Sequence, residues 1–207
     1  MGTLMSIRTV ALSAFFAVFS LSAAAQTPLE VGERLIERSG APDRFTLETD
    51  EQSITIIDRL SGLRCSIPPN APEMTLTASE RLVQCGYSGG IYSNWMITPL
   101  TSPAGRAPLD RFVAAYALFQ KEQNPTWDLT APPPPLPGLS DLYPNAPASF
   151  RVWLRDGNAG SDTLVSLMAA DINGHRVMQM IAGPEDPVTA LSELSFVTST
   201  TATHPSP

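Results

Sequence analysis

Cys65 and Cys85, His175 and His204, and three aspartates at or near turns, Asp58, Asp156 and Asp171, are the residues here whose types could do chemistry. The cysteines form an even pair, twenty positions apart, in a chain that reads as exported. That combination predicts a disulfide, worth roughly 3 kcal/mol in the chain-entropy model. The alternative is a redox pair, but catalytic dithiols are normally spaced Cys-x-x-Cys. A Ser-His-Asp triad would have to use His175, directly after Asn173-Gly174, and no Gly-x-Ser-x-Gly elbow supplies its serine. A zinc site needs three or four ligands, and His175, Cys65 and Cys85 share no local motif. Metalloprotease, dinucleotide, P-loop and calcium-loop signatures are missing too. The expectation is therefore no catalytic residue, no metal and no cofactor. Two carboxylates could still meet in a cleft as in glycosidases, with Asp58, Asp156 and Asp171 as candidates, although aspartates at hairpin ends usually serve the turn.

Three features could form binding surfaces. Arg151, Trp153 and Arg155 share one face of a predicted strand, opposite Phe150, Val152 and Leu154. Two guanidinium groups around an indole suit an anionic or aromatic ligand or a partner's carboxylates. Alternatively that face packs under the acidic N-terminal helix, with Glu30, Glu33 or Glu37 as ion-pair partners. Tyr87, Tyr92 and Trp95 could line a groove as stacking platforms, or simply pair across strands. Pro132-Pro-Pro-Pro-Leu-Pro137 is a polyproline II segment, either a ligand for an aromatic groove or a stiff connector.

The elements that must position these residues follow from pattern. Thr27-Pro-Leu-Glu30 carries a capping box, and Ser39-Gly40 a stop, so a helix is expected from about Pro28 to Arg38. Phe45 and Leu47 alternate with polar neighbours as in a half-buried strand. Ser53 to Ile67 reads as a hairpin with Gly62 left-handed, a register that sets Asp58 opposite Arg64 and Ile57 opposite Cys65. Leu82 to Gln84 and Ile91 to Thr98 flank Ser88-Gly89-Gly90 as another hairpin. Leu109, Phe112, Val113, Tyr116 and Phe119 recur at helical spacing after Pro108. Residues 131–147 contain seven prolines and are expected to be irregular. Thr163 to Ile172 and His175 to Ala182 flank Asn173-Gly174, pairing Asp171 with Arg176, Ala169 with Met178 and Leu167 with Met180. A short helix opens at Asp186-Pro187, and residues 198–207 read as a disordered tail.

The chain has 207 residues, 43% hydrophobic and 16% charged, with formal net charge −7. Such acidity opposes nonspecific binding to nucleic acid or anionic lipid. Residues 1–25 combine one positive charge, Arg8, an apolar stretch of about a dozen residues and an Ala-x-Ala site, which predicts a Sec-type signal peptide cleaved after Ala25. No later stretch is long and apolar enough to span a membrane, so a soluble periplasmic or secreted mature chain is expected. The part after the proline run is too small for its own core, so residues 26–197 should form a single α+β domain. Its mainly antiparallel sheet of about six or seven hairpin-built strands is covered by two or three helices.

The order of hairpins, long helix, loop, hairpin and C-terminal helix resembles the PsbP/Mog1-type sandwich, which implies a binding or accessory role. The Ser-Gly-x-x-Cys hairpin with its second cysteine is similar to small exported alphaproteobacterial proteins, a resemblance that carries no activity with it. Together these readings point to a non-catalytic accessory or binding protein whose partner is another protein or a small anionic ligand. The alternatives are a carboxylate-dependent hydrolase of envelope glycans and a structural subunit of an envelope complex.

Overall fold

The computed structural model describes residues 26–80 and 82–201. The expected signal peptide, Arg81 and residues 202–207 lie outside the described residues. Helix α1 (Pro28–Arg38) starts as its capping box requires, Glu30 N donating to Thr27 Oγ1 at 3.3 Å and Thr27 N to Glu30 Oε2 at 2.9 Å. After a 3-10 turn, β1 (Phe45–Thr49), β2 (Ile54–Asp58) and β3 (Arg64–Ile67) form a three-stranded antiparallel sheet. The second sheet is built from β4 (Glu73–Ala78), β5 (Val83–Ser88), β6 (Tyr92–Pro99), β7 (Trp127–Thr130), β8 (Ser149–Asp156), β9 (Thr163–Ile172) and β10 (His175–Pro184). Its order is β4-β5-β6-β10-β9-β8-β7, antiparallel throughout. Helices α2 (Leu109–Gln123), α3 (Leu139–Leu142) and α4 (Glu185–Thr201) complete a single α+β domain. The β6–β10 pairing joins the chain before the proline run to the chain after it, so the two halves share one sheet as expected.

One face of the seven-stranded sheet is covered by α2, where Val113 and Ala117 meet Leu154, Val165, Leu167, Ala169, Met178 and Met180. The other face carries the three-stranded sheet at one end and α4 at the other. Ile54, Ile56, Cys65, Cys85, Trp95, Ile97 and Phe196 belong to the core between them. Cys65 on β3 and Cys85 on β5 form the expected disulfide, which ties the two sheets together.

Several sequence expectations are corrected. The β2–β3 register places Ile57 opposite Arg64 and Ile56 opposite Cys65, one residue from the expected pairing. Gly62 is left-handed as expected, at φ 77°, but Asp58 N donates to Leu63 O, leaving Arg59–Gly62 as a four-residue loop. The loop is wider because Asp58 organises it, accepting from Ser61 N at 3.0 Å and Ser61 Oγ at 2.6 Å. The Asn173-Gly174 hairpin, in contrast, has the expected register, with both turn residues at positive φ. Strand β4 was not expected, although Met74, Leu76 and Ala78 alternate with Glu73, Thr75 and Thr77. The proline-rich segment holds one helical turn, α3, anchored by buried Leu139. The last helix also runs to Thr201, through residues expected in the tail. Thr200 is buried there because its hydroxyl bonds the Phe196 carbonyl at 2.7 Å, which satisfies a polar group inside the core.

Candidate functional site

Strand pairing sets the surroundings of Arg151. Arg151 lies opposite Met168, Met168 opposite Gln179, Gln179 opposite Trp95, and Trp95 opposite Cys85, so these five form one row across the sheet. The next row begins Trp153, Ser166, Ile181. Helix α4 lies over this end of the face. The helix over the arginine stripe is therefore the C-terminal one, and the acids that meet the stripe are Glu185 and Glu193, not those of α1. Arg155 makes a bidentate pair with Glu185 at 2.7 and 2.6 Å, both side chains well exposed. The bond from Arg155 holds the Glu185 carboxyl below its ordinary range. Trp153 is 3% exposed under α4 and cannot meet a ligand.

Arg151 differs from its neighbours. Its Nη2 donates to Glu193 Oε1 at 2.7 Å, and Glu193 Oε2 accepts from Leu136 N in the proline-rich segment at 3.0 Å. One carboxylate thus ties strand β8, helix α4 and the loop together. The segment beginning Pro132 is therefore docked on the domain at Leu136. Between them lies a cleft of about 310 Å³, lined by Leu136, Leu139, Tyr143, Pro147, Arg151 and Glu193 among others. A guanidinium has five N–H donors. Those on Nε and Nη1 of Arg151 bond no described residue, and the side chain keeps 28% of its surface exposed. The cleft therefore sets proline, leucine and tyrosine side chains beside Ser140, Ser149 and a cation only partly engaged, an arrangement that can orient an anionic group beside an apolar one.

The three aromatic residues of the second hairpin are not brought into one groove. Trp95 is 3% exposed and stacks on Phe196 of α4, with ring centroids 5.6 Å apart. Tyr87 packs against the same core. Tyr92 points to the opposite face of the sheet, where burial raises its phenol and that of neighbouring Tyr116 above the ordinary value. The alternation of the strand separates them, since even and odd positions face opposite layers.

Each candidate carboxylate is separately engaged. Asp58, with 2% of its side chain exposed, pairs with Arg44 at 2.5 Å and holds the Ser61 turn. Burial pushes its carboxyl up, but Arg44 and Ser61 outweigh that and hold it below the usual range. Asp156 is held low chiefly by the Asn158 N–H of its own turn. Asp171 grips Arg176 with both oxygens, at 2.8 and 2.9 Å. His175 turns its Nδ1 to the Asn173 carbonyl oxygen at 2.9 Å. Among the described residues, no three His, Cys, Asp or Glu side chains cluster as metal ligands, and no helix is long and apolar enough to cross a membrane.

Glu193 is the residue of the cleft that sequence reasoning missed. It stands in a helix of Ser, Thr and Leu, 42 positions from Arg151, and only folding brings the two together. Neither protein-family models nor curated proteins match this chain.

Proposed function

We propose that the mature chain is an exported accessory protein that binds, without transforming it, a ligand or partner segment carrying an anionic group beside an apolar one. The observation that carries this reading is the partly engaged Arg151 in the cleft beneath the proline-rich segment. The Cys65–Cys85 bridge supports export, since disulfides persist in oxidising compartments. A hydrolase would need two carboxylates facing one substrate, and the separate engagements of Asp58, Asp156 and Asp171 favour the binding reading.

The test is the double variant Arg151→Met/Glu193→Gln. Removing both charges together avoids leaving either one buried and alone. In vivo crosslinking of the tagged mature protein, followed by mass spectrometry, should capture a partner with the wild type and lose it with the double variant. Captured binding should weaken as salt rises. Capture that survives the double variant undiminished would sink the reading. Asparagine at Asp58, Asp156 and Asp171 is the complementary control, because a hydrolase loses its activity there while binding in the cleft persists.

A further inference from the structure

On the α2 side of the sheet, remote in sequence from the proline-rich cleft, a second cavity of about 390 Å³ opens beneath the β6–α2 connection. Leu82, Met96, Pro103, Ala104, Phe112 and Arg176 line it, with the hydroxyl-bearing Thr98 and Ser102 at its wall. Arg176 is the unusual member. Its side chain is 3% exposed, a state arginine adopts only with partners. Nε and Nη2 donate to Asp171 at 2.8 and 2.9 Å, Nη1 donates to the Ala107 carbonyl at 2.5 Å, and its Cζ stands 5.1 Å from the Phe112 ring centroid.

These bonds use three of five N–H groups, so each Nη keeps one that bonds no described residue. Leaving a buried donor unmade is costly, and apart from Thr98 and Ser102 the surrounding wall is leucine, methionine, proline, alanine and phenylalanine. Asp171 already balances the guanidinium charge, and Arg176, at 3% exposure against 28% for Arg151, has little water to screen a second anion. A carboxylate entering this apolar space would bring an uncompensated charge, whereas a neutral carbonyl would meet the spare donors without one. The volume falls at the low end of small-molecule sites.

We propose that this cavity binds a small, mainly apolar molecule through a neutral acyl carbonyl, of an ester or amide, with the free Nη N–H groups of Arg176 as donors. The apolar body packs against Met96, Phe112 and Leu82. The site is independent of Arg151 and of the cleft beneath the proline-rich segment.

The experiment is a chemical-shift titration of the ¹⁵N-labelled, disulfide-bonded mature protein with N-methylhexanamide and, separately, hexanoate. The amide should give saturable shifts at Met96, Ala104 and Phe112, and hexanoate should bind at least about tenfold more weakly. Met96→Trp fills the cavity from the sheet, and Ala104→Trp fills it from the loop. Either, if folded by its dispersed spectrum, should abolish saturation, while Arg151→Met/Glu193→Gln should leave it unchanged. No saturable shifts at these residues, persistence in a folded filling variant, or hexanoate binding as tightly as the amide would overturn the proposal.

Discussion

The two helices that cover the seven-stranded sheet do so on different terms. Helix α2 lies on a layer of Leu154, Val165, Leu167, Ala169, Met178 and Met180, and its own Val113 and Ala117 are fully apolar. Helix α4 covers Trp153, Leu164 and Ile181 together with the polar Ser166 and Gln179, and turns Ser192, Ser199 and Thr200 inward beside Val188 and Phe196. Beneath it the Trp153 Nε1, Ser166 Oγ, Gln179 Oε1 and Ser192 Oγ atoms find no partner among the described residues. Helix α4 is held by an apolar cluster of Val188 with Trp153, Leu164 and Ile181, by the Trp95–Phe196 stack, by the bond from Gln179 Nε2 to Ser195 Oγ and by the two arginine pairs. The side chains clustered under α2 are apolar, whereas the interface under α4 mixes apolar contacts with buried polar side chains.

The sharpest way to break the comparison is Phe196→Ala. Phe196 is 1% exposed and, with Val188, is an apolar anchor of α4, so its loss should destabilise the domain by about 3–5 kcal/mol in urea unfolding. Hydrogen exchange should accelerate first in α4, and exchange that rises equally in α2 would erase the distinction. Next in size, Cys65→Ala/Cys85→Ala should cost roughly 3 kcal/mol, read as a lower unfolding midpoint. Its effect should fall on the three-stranded sheet, with the α2 layer protected until global unfolding.

Asp58→Asn should cost about 2 kcal/mol at neutral pH, because hydrogen bonds to a charged carboxylate are lost. The folded carboxyl lies below its unfolded value, so its stabilisation is present above the unfolded pKa and is lost as pH falls through the folded one. Melting temperature against pH should therefore converge for wild type and variant in acid. A constant gap down to strongly acidic pH would refute the assignment. The smallest effect has the opposite sign. Ser192→Ala removes a buried hydroxyl with no partner among the described residues and should stabilise by up to about 1 kcal/mol. The mirror substitution under α2, Ala169→Ser, should destabilise. Equal responses would mean that the two helix interfaces do not differ in kind.

Local signals alone were enough for several elements. The capping box at Thr27, the Asn173-Gly174 turn and the disulfide pair each depend on residues whose partners are near in sequence or are the sole candidates of their type, and each stands in the fold where it was expected. The α+β class and the sharing of one sheet followed from strand count and core size. The β2–β3 register was missed because Asp58 uses its side chain, rather than its position, to set the loop. The burial of Trp153, the separation of Tyr92 from Trp95 and the identity of the helix above Arg151 were decided by tertiary packing. Alternation specifies which residues share a face, but not which helix will cover it. Glu193 meets Arg151 only because the β10 strand leads into α4, which packs on β9 and β10 beside β8, and no spacing in the sequence encodes a contact between positions 42 residues apart.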